Sequence, residues 1–158
     1  LQYDDSRLMY KKRSAESTIR SRSIAQTLES VVSEVDSEFS GVTLLSILQS
    51  PFITTETMEE AIYTLVLNDS DSAILVKEID SLLFERTPHG LLQINYKGFL
   101  VTDFDVLYSD TRTCITTKNS SLKKGSLTGA NIIGLLPPEH EIFYINNQRD
   151  LDIARALT

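Results

Sequence analysis

Between Ser23 and about Glu38, apolar residues return at helical spacing: Ile24, Leu28, Val31, Val32 and Val35 share one face, with Gln26, Glu29, Ser33 and Glu34 opposite. That period predicts an amphipathic helix, ended by the Ser40-Gly41 pair. The pattern then changes. Val42 to Leu48 is a nearly continuous, aliphatic-rich run, the signature of a strand buried on both faces of a mostly parallel sheet. After the turn Gln49-Ser50-Pro51-Phe52, Thr54 or Thr55 can cap a second helix whose apolar stripe is Met58, Ala61, Ile62, Leu65 and Val66. Asn68-Asp69-Ser70-Asp71 ends it, and Ala73 to Val76 reads as another short buried strand. Helix, strand, helix and strand in this order predict a right-handed βαβ crossover and an α/β fold.

The second half is patterned differently. Leu91 to Asn95 and Phe99 to Val101 flank Tyr96-Lys97-Gly98 and read as a hairpin. Cys114 to Thr117 and Ile132 to Leu136 add strand-like pieces, so this half is expected to form a small antiparallel edge or flap. Pro137-Pro138 breaks the chain, Ile142 to Ile145 reads as a last short strand, and Asn147 is placed to cap a terminal helix from Gln148 to Leu157. Leu151, Ala154 and Leu157 would face inward, because a helix of that length holds only when docked. With no internal repeat and no Pro/Gly-rich linker, residues 1–158 are expected to form one domain.

Composition narrows the classes. Hydrophobic residues make up 41% and charged residues 23% of 158, ordinary globular values. No apolar run approaches the ~20 residues that cross a bilayer, and the start of the chain lacks a signal pattern, so no membrane partner is expected. Cys114, the one cysteine, cannot close an intrachain disulfide, which points to the cytoplasm. His89 and His140 do not stand at zinc-ligand spacing with it. A formal net charge of −7 repels phosphate backbones and argues against nucleic acid, despite the basic cluster Lys11, Lys12, Arg13, Arg20 and Arg22, which reads as solvated surface. There is no G-x-S-x-G elbow, and two dispersed histidines give a Ser-His-Asp triad little support. The acidic pairs Asp4-Asp5, Glu59-Glu60, Asp69/Asp71 and Asp103/Asp105 read as solvated loops and helix faces.

Several short segments, in order, carry a family resemblance. Tyr3-Asp4-Asp5 is similar to S-T-D-D, Arg13-Ser14-Ala15-Glu16 to R-P-A-E, and Leu48-Gln49-Ser50-Pro51-Phe52 to a shortened L-Q-P-T-S-P-L. Leu91-Leu92-Gln93-Ile94-Asn95 resembles a hairpin strand, and the run from Asn146 to Ala154 resembles D-T-x-x-D-L-x-x-A. Together they resemble the acylneuraminate cytidylyltransferases, the CMP-sialic acid synthetases and their relatives. The resemblance implies a three-layer, Rossmann-like nucleotidyltransferase fold with a mostly parallel central sheet and a small antiparallel flap. It also implies transfer of CMP from CTP to an acidic sugar, with release of pyrophosphate and Mg²⁺ as cofactor. Such a reaction needs positioning and charge neutralisation more than covalent chemistry. The family's Gly-rich phosphate loop and first βα unit have no counterpart, because the chain starts at about the second strand.

Site residues follow by position. Arg13 matches the R-P-A-E arginine and would reach the nucleotide, the plain alternative being a surface arginine. Gln49, after a strand's carboxyl end, would read base or ribose, or simply form a turn. His89 and Arg112 fall near the sugar in the resemblance, with an exposed loop histidine the alternative for His89. At the family's D-x-D metal site stand Tyr144 and Asn146, so only Asn146 offers a metal ligand, and the charge available to hold Mg²⁺ falls by two. Arg112-Thr113-Cys114 replaces an N-G-A turn. A homodimer is the partner the family implies, though the segment from Phe99 to Asp110 is shorter than its dimerisation arm. Two readings result: a CMP-sugar-forming enzyme, provided a phosphate-loop segment precedes Leu1, or a catalytically degenerate relative acting as a nucleotide- or sugar-binding or partner subunit. A third is an α/β interaction domain whose motif similarity is accidental.

Overall fold

The computed structural model describes residue 5 and residues 7–13, 23–95 and 105–157. Tyr3, Asp4, the segment from Ser14 to Glu16, the hairpin turn at Tyr96-Lys97-Gly98 with its partner Phe99 to Val101, and Asp103 lie outside these residues.

Helix α1 spans Ile24–Val35, with Ser23 Oγ accepting the Ala25 N–H at 3.2 Å as its N-cap. Its buried face is Ala25, Leu28 and Val32 against Phe39, Leu122 and Leu127, whereas Ile24 and Val35 are exposed. The face is rotated from the expected stripe because α1 packs on a short helix, α3 (Asn119–Lys123), rather than on the sheet. Helix α2, Thr55–Leu67, is capped by Thr54, whose Oγ1 accepts the Thr57 N–H at 3.3 Å. It buries Thr57, Ala61 and Leu65, and Ala61 joins Leu75 and Cys114 at the centre of the core. Helix α4, Gln148–Leu157, starts at Asn147 as expected, but of its three inward candidates only Ala154 is buried and Leu157 is exposed.

The main sheet holds β1 (Val42–Ser46), β2 (Ser72–Ile79), β5 (Leu107–Lys118) and β6 (Ile132–Leu135) in the order β1-β5-β2-β6. β5 runs antiparallel to both β1 and β2, and β6 runs parallel to β2. Three strands therefore share one direction and β5 opposes them, a mixed α/β architecture. A separate two-stranded antiparallel sheet pairs β3 (Phe84–Thr87) with β4 (Gly90–Gln93).

Three expectations change. The apolar run from Val42 forms an edge strand among the described strands, and Leu48 beyond it is 98% exposed. Cys114 to Thr117 belongs to the middle of the sheet, because β5 inserts between β1 and β2 where a simple crossover would have made them neighbours. β4 pairs with the upstream β3, while its expected pairing with Phe99 to Val101 lies outside the described residues. Ile142 to Ile145 is not a strand: a 3-10 turn, Glu139–Ile142, is followed by extended chain.

Two carboxylates fasten the frame. Asp36 Oδ2 accepts Asn119 Nδ2 at 2.7 Å and the Gly41 N–H at 2.8 Å, while Asn119 Oδ1 accepts the Thr43 hydroxyl at 2.6 Å. The clasp joins the end of α1, the start of β1 and α3. The Asn119 amide, then the Gly41 N–H, hold the Asp36 carboxyl down at about 2, against a smaller upward push from burial. Asp71 Oδ2 accepts the N–H groups of Ala130 at 2.8 Å and Asn131 at 3.0 Å, tying the loop before β6 to the start of β2. Gly129 there has φ +69°, and a Cβ on it would lie 2.4 Å from Asp71 Cβ. Among the described residues no helix is long and apolar enough to cross a membrane.

Gly129→Ala combines a left-handed backbone with that overlap, so it is expected to cost about 2 kcal/mol or more in urea unfolding. A midpoint equal to that of the parent chain would show that the loop yields freely. Because the folded pKa of Asp36 is depressed, the stability it supplies is full above the unfolded value near 4 and disappears as pH falls towards about 2. Asp36→Asn should flatten that part of the acid-unfolding curve, and an unchanged acid slope would contradict the clasp.

Candidate functional site at the carboxyl edge of the sheet

β1 ends at Ser46, and Ile47 donates its N–H to the Thr113 carbonyl at 3.3 Å, which places the middle of β5 beside the carboxyl end of β1. There the pairing of β5 with β2 shifts: Ile74 faces Ile115 while Val76 faces Asp110, so residues 111–114 are accommodated opposite Leu75. This wide bulge stands Arg112 in the left-handed region at φ 61°, with its N–H donated to Asp110 Oδ1 at 2.8 Å. Thr111 Oγ1 fills the gap in the ladder by donating to the Leu75 carbonyl at 2.8 Å.

The chain returns to the same edge after β6. Glu141, 3% exposed, accepts from the Thr54 N–H at 3.2 Å and the Thr54 hydroxyl at 3.0 Å, docking the 3-10 turn on the N-terminus of α2. Burial pushes its carboxyl upward, but hydrogen bonds from Thr57 and Thr54, with a contribution from His140, outweigh it and the net shift is downward. Phe143 meets Phe52 with ring centroids 5.6 Å apart, and the Ile145 N–H reaches the Gln49 carbonyl at 2.9 Å. Asn146 is oriented twice: its N–H donates to Asp150 Oδ2 at 2.8 Å and its Nδ2 to the Tyr144 carbonyl at 3.2 Å. Asn147 Oδ1 in turn accepts the Asp150 N–H at 3.1 Å, so the cap of α4 and the position of Asn146 form one unit.

Two concavities open on either side of this returning segment. A cleft of about 640 Å³, mainly apolar, is formed by Phe52, Phe143, Tyr144, Ile142 and Leu157, with Glu139, His140 and Asn146 among its walls. A polar hollow of about 270 Å³ is formed by Lys77, Asp110, Thr111 and Arg112. Ile142, Tyr144 and Asn146 belong to both, so the two are neighbours across a shared wall. Among the described residues neither Lys77 nor Arg112 is held in an ion pair.

The structure thus gathers Arg112, Tyr144 and Asn146 around one hollow. Gln49 lies next to them through its backbone but does not line either concavity. His89 sits exposed in the β3–β4 turn, its N–H on Thr87 Oγ1 at 3.3 Å, outside both. Arg13 is exposed in the stretch 7–13, where Lys11 pairs with Glu34 on α1, and it lines neither. Sequence reasoning missed Lys77, Phe52 and Phe143 as site residues. The two phenylalanines beside Pro51 and after the Pro137-Pro138 break were the available signal, whereas Lys77, on the exposed half of β2, gave none.

The implied Mg²⁺ can be tested against these donors. Tyr144 brings no carboxylate, Asn146 offers at most one neutral amide oxygen, Oδ1, its Nδ2 being donated to the Tyr144 carbonyl, and among the described residues no three His, Cys, Asp or Glu side chains gather to hold a metal ion. The residues present do not fit a cation held by this part of the chain, and no step below runs through one.

No family model matches the chain, and no curated protein matches it in sequence. A solved structure described as that of 4-diphosphocytidyl-2C-methyl-D-erythritol synthase superposes with a TM-score of 0.58 at 13% identity, covering 86% of this chain and 67% of that one. At that identity the likeness is one of fold: the central sheet, three of whose four strands run the same way, and the small antiparallel sheet make a cytidylyltransferase-like, Rossmann-type fold. The acylneuraminate branch is not singled out by this match.

Glu141→Ala leaves the Thr54 N–H and hydroxyl without their buried acceptor, and is expected to lower unfolding stability by about 2 kcal/mol, with Glu141→Gln milder. Equal stability of all three proteins would remove Glu141 as the anchor of the shared wall.

Proposed function

We propose that this chain carries the cytidine-nucleotide site of a nucleotidyltransferase-like protein, one that passes CMP from CTP to an acidic sugar. The observation that supports it most is the pair of adjoining concavities at the carboxyl edge of the sheet, where open α/β folds take their ligands. The base enters the aromatic cleft, where stacking on Phe52, Phe143 or Tyr144 supplies about 1–3 kcal/mol. Asn146, with its Nδ2 turned to the Tyr144 carbonyl, presents Oδ1 as an acceptor. An acceptor suits the exocyclic amine of cytosine and not the carbonyl of uracil. The phosphate enters the polar hollow, where Lys77 and Arg112 neutralise it, and Arg112 also suits the carboxylate of an acidic sugar.

The second reading, a relative that binds the nucleotide without turnover, is favoured by the neutral side chains of Tyr144 and Asn146 where the resemblance has two carboxylates. Both readings share the site and differ in turnover. Titration calorimetry should give saturable CMP binding, weaker UMP binding, and losses of about tenfold or more for Arg112→Ala and for Lys77→Ala. Absence of binding by any cytidine nucleotide at millimolar concentration would end the proposal. CTP with magnesium and a panel of acidic sugars then separates the two readings, since pyrophosphate release above background belongs only to the enzyme.

A further inference from the structure

The polar hollow has an unusual charge balance for a site that would receive a triphosphate. Its described walls hold two cations, Lys77 and Arg112, and one anion, Asp110. The adjoining cleft adds Glu139, so, setting His140 aside, the combined described lining carries no net charge. Asp110 cannot turn out of the way without cost, because its Oδ1 accepts the Arg112 N–H at 2.8 Å and so braces the left-handed residue at the bulge. The chain as a whole is at −7, so the field around the hollow does not favour further anions.

Resting on the second of the readings above, binding of the nucleotide without turnover, we infer that the site is matched to a nucleoside monophosphate, as the free nucleotide or as the CMP half of a nucleotide-sugar, and not to a nucleoside triphosphate. One phosphate pairs with Lys77 and Arg112. A second and a third find the Asp110 carboxylate in the same 270 Å³ hollow, and each added negative charge meets like charge where a triphosphate site would supply donors and cations. Asp110 is therefore a specificity-determining residue: it tolerates one phosphate and opposes the next.

The test is calorimetry on the chain in EDTA with cytidine, CMP, CDP and CTP. CMP should bind about tenfold or more above cytidine, while CDP and CTP should bind no more tightly than CMP. Asp110→Asn keeps an oxygen acceptor for the Arg112 N–H, so the bulge persists, and it should raise CTP affinity about tenfold more than CMP affinity. Affinity that climbs steeply from CMP to CDP to CTP would overturn the inference and leave the nucleotide reading intact, as would an Asp110→Asn effect equal for CMP and CTP. No binding of cytidine or of any cytidine nucleotide would overturn both.

Discussion

The strand that the rest of the molecule depends on is β5. It is hydrogen-bonded along both edges, to β1 from Val42 to Ser46 and to β2 from Ser72 to Ile79, and it runs against both. Without it β1 and β2 have no contact in the sheet, and the core of Ala61, Leu75 and Cys114 beneath α2 has no floor. Its two ends do different work. At Lys118 it hands over to α3 and the Asp36–Asn119 clasp, which fixes α1 and the start of β1. Near its middle the register shift raises Arg112 and Asp110 to the carboxyl edge. Stability and ligand chemistry are thus set by one continuous segment, and the bulge is the place where regular pairing gives way to a site.

How much of this is legible in the sequence depends on where polarity is buried. The three long helices were readable, two of them with a cap, because Thr54, one of two candidates, and Asn147 act locally and the 3.6-residue period needs no long-range partner. β5 was only partly readable. Thr111, Thr113, Thr116 and Thr117 are all buried, and a run so rich in hydroxyls reads as surface until a partner such as the Leu75 carbonyl is seen to satisfy it. The apolar run at Val42 misled in the opposite direction, since hydrophobicity marks contact with a core but does not say which strand lies between two others. The last expected strand failed for a local reason: Glu141 draws its turn onto the start of α2 and leaves Ile145 to make a single link to Gln49.

The site shows the same division. Arg112, Tyr144 and Asn146 were singled out by position in a motif pattern, and the fold brings them to one hollow. Gln49 follows the end of β1, and its backbone carbonyl meets the returning segment at Ile145. Lys77 and the Phe52–Phe143 pair needed three dimensions, because the aromatic cleft is assembled from segments some ninety residues apart in sequence, roughly the separation that Glu141 also bridges. His89 and Arg13 stayed apart from the concavities, and the fold gives no reason in the described residues to bring them in.

Cys114 lies at 1% exposure where β5 is sandwiched between β1 and β2, and burial pushes its thiol up to about 11, only partly countered by the Thr116 hydroxyl. A sulfur so placed is nearly all in its unreactive form at neutral pH and has no path to a reagent while the strand is seated. The protein therefore carries its own clock: alkylation of its single sulfhydryl proceeds at the rate at which the middle of the sheet comes apart, and any ligand that grips the edge slows the ticking.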